Sequence, residues 1–137
     1  MTSPNARRVY EMLAAYERGD EDRVRESIDP QGEIYGAPGI VNSGTYYGYE
    51  GFRRWIDQWR EAWSEERFEL GEIVEVDESV LVVPAHVTGR GALSGLEIDQ
   101  VFGWLYEWID GRATRFHVYG TVEEAMEAAQ RLAADRA

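Results

Sequence analysis

The chain has 137 residues, with 26 Asp and Glu against 14 Lys and Arg, for a formal charge of −12, and every basic residue is arginine. So acidic a surface repels phosphate backbones and anionic lipid, which argues against nucleic acid and membrane surfaces as partners. An apolar content of 44%, with 12% aromatic, is enough to bury a core, so one domain over residues 1–137 is expected rather than disorder.

The chain has no cysteine, which removes disulfides, a thiolate nucleophile, iron–sulfur clusters and Cys-based zinc sites. The start Met1–Arg8 has no apolar run behind its arginines and does not read as a secretion signal. No stretch approaches the roughly 18 consecutive apolar residues of a membrane span. The expectation is a soluble, cytoplasmic protein.

Ser3 before Pro4 is a helix start, and Val9, Met12, Leu13 and Tyr16 follow at the spacing of one buried helical face. Gly19 ends that helix, and Asp20 caps a second one running to about Ile28. Asp29-Pro30-Gln31-Gly32 reads as a turn and Glu33-Ile34-Tyr35 as a short strand. Gly36 to Gly48, with four glycines and Pro38, reads as a long loop of the kind that walls a site.

Glu50 to about Glu65 is expected to be a long helix, with Phe52, Trp55, Ile56, Trp59 and Trp63 on one apolar stripe. From Phe68 the period changes to two, predicting strands at Phe68–Val76, Val80–Gly89, Gly95–Trp108 and Ala113–Tyr119. Asp77-Glu78 and Asp110-Gly111 are hairpin turns. Pro84 implies an edge strand or a bulge. Thr121-Val122-Glu123-Glu124 is a capping box opening a helix toward Ala134. The pattern is that of an α+β protein in which helices cover the aromatic face of one curved antiparallel sheet.

In Glu97–Trp108, Gln100, Phe102, Trp104, Tyr106 and Trp108 alternate with Asp99, Val101, Gly103, Leu105 and Glu107. The aromatic row must face the helices, joined by Phe116 and Val118 of the last strand. Arg115, His117 and Tyr119 then share the opposite face. Rings of this size rarely close without a gap, and apolar walls with a few polar groups suit a small-ligand pocket. Gln100, an amide on a face expected to be buried, marks a wet cavity.

The order of elements resembles the SnoaL-like polyketide-cyclase group of the nuclear transport factor 2-like superfamily. The matching pieces are Gly19-Asp20, Gly48-Tyr49-Glu50-Gly51-Phe52, Trp63, Ser94-Gly95-Leu96-Glu97, Asp110-Gly111-Arg112 and Glu124-Ala125, spread between Val9 and Ala129. The resemblance implies a cone-shaped curved antiparallel sheet wrapped around a long helix, a deep pocket at the open end, and a homodimer. It also implies that function must be argued from the site, because the superfamily holds isomerases, epoxide hydrolases, dehydratases, cyclases and non-catalytic members. Where the isomerases carry a tyrosine donor this chain has Met12, and their general-base aspartate falls on Gly36 or Ala37. Their second acid falls on Trp104, and the aspartate that hydrolases and cyclases keep on the last strand falls on Val118. Proton-transfer chemistry needs a positioned carboxylate, and none is evident at these positions.

His86 and Tyr35 are the remaining candidates for catalysis: imidazole titrates near working pH, and a tyrosine can donate to a ligand oxygen. His86 and His117 have no partner at metal-ligand spacing, so neither a metal nor a cofactor is expected. Three readings follow. The first is a protein binding a small, largely apolar, cyclic molecule in a pocket walled by Met12, Tyr35, Trp59, Gln100, Phe102, Trp104, Tyr106, Phe116 and Val118. The second is an isomerase, cyclase or dehydratase using His86 or Tyr35 with Gln100 orienting the ligand. The third is a non-catalytic dimeric scaffold with a solid cone, joined through Val101, Leu105, His117 and Tyr119.

Overall fold

The computed structural model describes residues 3–39 and 42–136. Met1 and Thr2 of the leader reading, Ile40 and Val41 of the glycine-rich loop, and Ala137 lie outside the described residues. The first two helices form as their caps dictate. Ser3 accepts from the Ala6 amide at 3.1 Å to open α1 (Pro4–Glu17), and Asp20 accepts from the Arg23 amide at 3.2 Å to open α2 (Glu21–Ser27). Each bond satisfies an amide that the helix leaves without a partner at its start.

The next segment departs from expectation. Asp29–Gly32 is not a turn but part of a long strand, β1 (Ile28–Gly36), which slips register between Ile28 and Glu33. Pro30 and Gly32 are absorbed by this irregularity, the one kind of strand interior that tolerates both. The end of the glycine-rich segment is also a strand, β2 (Gly44–Tyr47), folding back on β1.

The long helix α3 spans Gly48–Ala62, ending short of the predicted Glu65, and Trp63 heads a strand instead. That strand is β3 (Trp63–Leu70), followed by the two-residue β4 (Val74–Glu75), so the predicted Phe68–Val76 strand is broken in two. β5 (Val80–Gly91), β6 (Glu97–Ile109) and β7 (Arg112–Tyr119) follow, and α4 (Val122–Arg136) closes the chain behind the Thr121–Glu124 capping box. Asp110 and Gly111 both take positive φ, 50° and 81°, as the tight β6–β7 hairpin turn requires.

All seven strands join in one open, curved sheet of order β2-β1-β7-β6-β5-β3, with β4 also paired to β5. The sheet is antiparallel except where β1 runs parallel to β7, a pairing the sequence reading did not anticipate. β5 pairs with β6 in unbroken register past Pro84, but on its other side Pro84 falls at a bulge, since Gly71, Glu72 and Ile73 stand against Val83 and Pro84 between the Leu70–Ala85 and Val74–Val82 pairs. It sits opposite the break between β3 and β4, where the neighbouring strand has no acceptor waiting for an N–H. Its carbonyl takes the Gly71 amide at 2.8 Å.

The sheet carries two cores, one on each face. On the concave face α1 and α3 pack against Val83, Phe102, Trp104, Tyr106, Phe116 and Val118. On the convex face α4 packs against Val80, Val82 and Leu105 through Ala125 and Ala129. Leu105 is therefore covered by the protein's own helix and cannot serve a dimer contact, whereas Val101 beyond the helix is exposed. α4 lies close because Gly103 has no side chain: a Cβ there would stand 2.5 Å from the Thr121 carbonyl oxygen and 2.6 Å from the Ala125 Cβ. Neither is the end of a flexible side chain. Gly103→Ala is expected to destabilise the fold by about 1–3 kcal/mol, seen as a lower denaturation midpoint by circular dichroism; an unchanged midpoint would refute this close packing.

Candidate functional site

The rings of the concave face do not close on each other. α3 presents Phe52, Trp55, Ile56 and Trp59 at i, i+3, i+4 and i+7, and all four are buried. They meet sheet rings mostly edge-on: Trp55 and Trp59 stand at 82° and 83° to Phe116 and Phe102, and Trp104 at 84° to Phe116. Between α1, α3 and the sheet remains a cavity enclosing about 600 Å³ of atom-free space, counting the part open to solvent. Only about 60 Å³ admits the centre of a water-sized sphere. It is a slot with room for about five water-sized groups, lined almost wholly by carbon.

Seven of the nine residues expected in the wall line this slot: Met12, Trp59, Phe102, Trp104, Tyr106, Phe116 and Val118. Gln100 does not. It is exposed, and its amide donates to the Gly120 carbonyl at 2.9 Å, because β6 runs on past the end of β7 and leaves its inner face open there. Tyr35 also lies elsewhere. It is in register with His117 of β7, so its ring stands on the opposite face, 5.3 Å from the His117 ring and 5.9 Å from Tyr119. There His117 is 2.8 Å from a Glu33 carboxylate oxygen, and burial holds its pKa below the ordinary value despite that carboxylate.

His86 points outward as well, alternating with Ala85 and Val87, which face the core. Its Nε2 is 2.6 Å from the exposed Asp99, which raises the imidazole pKa. An outward His86 and Tyr35 cannot act on a molecule in the slot, so the enzyme reading loses the residues it rested on. Among the described residues, no three His, Asp or Glu side chains are grouped so as to hold a metal ion.

The structure instead brings in a carboxylate that the sequence reading passed over. In β3, Ser64 pairs with Arg90 and Arg67 with Thr88, so β3 holds one residue more than its partner between these pairs. Glu65 takes the extra step with φ at 55°, a left-handed conformation. The bulge resets the alternation between Trp63 and Glu66, so that both face inward although they are three residues apart, and Glu66 keeps the phase of Phe68 and Leu70, which pack on the concave core, while Arg67 is exposed. Gly89 lies opposite, where a Cβ would stand 3.5 Å from the Glu66 Cα. A helix drawn to Glu65 hides this; the Glu66, Phe68, Leu70 alternation was the available signal.

Glu66 lines an outer groove that shares Tyr16 and Phe68 with the slot, placing it at the slot's neck. Its Oε2 is sealed from solvent and makes no hydrogen bond of ordinary length and angle. Burial pushes the carboxyl up to about 7, against smaller opposing effects of the Trp59 indole and the Arg60 guanidinium. Arg60 is committed to Tyr16: its Nε donates to the Tyr16 hydroxyl at 3.0 Å, and its guanidinium lies 4.9 Å from the ring centre. Burial, then the Glu66 charge, raise the Tyr16 pKa. Deeper in, the Trp55 indole N–H is buried without a hydrogen bond, and burial alone drives the Tyr106 phenol far up.

A curved sheet wrapped on a long helix with a ring-lined slot defines a cone of the nuclear transport factor 2-like type. The SnoaL-like domain model matches residues 7–116, and the chain belongs to that family. No curated protein matches it. Solved structures share the fold at low identity. An NTF2-like protein from Burkholderia xenovorans LB400 has a TM-score of 0.78 at 18% identity, covering 94% of this chain and 98% of its own. TerC, co-crystallized with polyporic acid, has a TM-score of 0.75 at 20% identity, covering 94% and 99%. A protein assigned as a SnoaL-like polyketide cyclase from Jannaschia sp. CCS1 has a TM-score of 0.70 at 18% identity, covering 93% and 95%.

Because the folded Glu66 pKa lies above the ordinary 4.5, its ionisation opposes folding. The stability it contributes is complete below pH 4.5 and is lost as pH rises through about 7. Glu66→Gln, which cannot ionise, should therefore gain melting temperature over the parent chain at pH 8 but not at pH 4.5. Equal differences at both pH values would show that Glu66 ionises as if in water.

Proposed function

We propose that the protein binds a small, largely apolar, cyclic molecule in the aromatic slot, with a single ring the best fit. The observation that carries this is the slot itself: an unfilled, carbon-lined space bounded by seven of the side chains expected there, in a family fold built around such a space. A cone packed solid by its own rings would leave no such gap, which weighs against the scaffold reading. The buried Trp55 indole and Tyr106 phenol supply donors, so the preferred ring carries an acceptor oxygen toward them. A structural relative co-crystallized with polyporic acid is consistent with a ring-bearing ligand.

The same reading takes the protein as a cytoplasmic homodimer. Its support is the acidic composition, the family resemblance, and the ring-bearing convex face of Tyr35, His117 and Tyr119 beyond the part covered by α4. Among the described residues no helix is long and apolar enough to cross a membrane.

Toluene is the minimal probe. It should shift the tryptophan emission and raise the melting temperature, since a ligand that binds only the folded state stabilises it. Val118→Phe puts a second ring into the slot and should weaken toluene binding at least about tenfold, at a packing cost of about 1–3 kcal/mol. Undiminished binding to that variant, or no binding to the parent chain, would place the ligand elsewhere or nowhere.

A further inference from the structure

The neck of the slot holds a carboxyl group with no direct ion pair. Glu66 carries a buried carboxylate oxygen that is met by the Trp59 indole N–H but makes no hydrogen bond of ordinary length and angle, and among the described residues no Arg or His stands within ion-pair distance of it. The cation that acts on it among the described residues, Arg60, is held on the Tyr16 hydroxyl and ring. The surroundings are aromatic: Trp59 and Trp63 lie 5.8 Å apart, and Tyr16 and Phe68 belong to both slot and groove. An anion brought there would meet a carboxylate and the field of a protein of charge −12. A neutral ligand would leave that carboxylate without a direct counter-ion. A cation would supply the missing partner, face the negative surface of several rings, and be drawn toward the protein by its overall field.

We infer that the neck is a cation subsite, in which Glu66, framed by Trp59, Trp63, Tyr16 and Phe68, takes the ammonium head of an apolar amine whose ring occupies the slot. The inference rests on the ring-binding reading and adds the ligand's charge to it. The other charged and titratable groups of this groove are Tyr16 and Glu17 of α1, Arg60 of α3, and Glu65 and Arg67 of β3. Asp57 of α3 acts on Tyr16. A cation favours the ionised carboxylate, so its affinity should rise as Glu66 gives up its proton around neutral pH.

The test compares benzyltrimethylammonium with neopentylbenzene, which has the same shape without the charge and, like the ammonium, no proton to lose. Affinities for the parent chain, Glu66→Gln and the exposed control Glu72→Gln, outside the groove, are measured by tryptophan fluorescence and calorimetry at pH 6 and pH 8. The expected result is a preference for the ammonium of about tenfold or more at pH 8, smaller at pH 6. Glu66→Gln should reduce it to less than about threefold and remove its pH dependence, while Glu72→Gln leaves it intact. Equal affinity for the two compounds would overturn the cation subsite and leave ring binding standing. A preference that survives Glu66→Gln would assign it to the general acidic field and overturn the role of Glu66. Failure of both compounds to bind would remove the ring-binding reading together with the subsite.

Discussion

Flat rings cannot tile a concave surface, and the architecture of this protein follows from that constraint. Residues of the tryptophan and phenylalanine type bury large areas and stabilise the contact between α3 and the sheet, each ring pair adding about 0.5–1.5 kcal/mol beyond its burial. Their preferred contacts are edge-to-face. Trp55 on Phe116, Trp104 on Phe116 and Phe68 on Trp104 form a chain of such contacts, with centroids 5.4–5.6 Å apart. Rings standing nearly at right angles brace one another apart as well as together. The slot is what is left when helix and sheet are held by such braces, so the interactions that fold the protein also keep its interior open.

What was legible in the sequence was whatever depends on near neighbours. The caps at Ser3 and Asp20, the capping box at Thr121, the tight turn at Asp110-Gly111 and the aromatic alternation of β6 all form as read. The failures sit where a distant partner decides. Asp29–Gly32 carries the composition of a turn, yet β7 alongside draws it into a strand. Trp63 continues the helical spacing of Trp59, yet pairing with Gly91 makes it the first residue of a strand. Gln100 has inward phase but lies where β6 outruns β7, and phase alone does not say whether a face is covered.

The same distinction explains the site. Tyr35 followed from a strand assignment that was right and a face that was wrong, because the face of β1 is set by its parallel register with β7 and not by any local pattern. Glu66 was missed for the complementary reason. Its inward aim is shared at period two with Phe68 and Leu70, but a helix carried on to Glu65 leaves it no strand to alternate in, and where that helix gives way to β3 is set by pairing with β5. Trp104 and Val118, where the resemblance implies acids, and Met12, where it implies a tyrosine donor, all line the slot. An acid beside the slot, Glu66, arrives from β3 instead.

The two cores on opposite faces of the sheet divide the labour of stability. The convex core of Val80, Val82 and Leu105 under Ala125 and Ala129 contains no part of the slot, and four of these five residues are completely sealed from solvent. β5 and β6 are thus anchored from behind, whatever happens to the rings in front. The concave wall can exchange one side chain for another without loosening the strands that carry it, because their alignment is guaranteed by a different set of contacts. A backing helix on a single sheet makes the binding chamber a replaceable lining rather than a structural necessity.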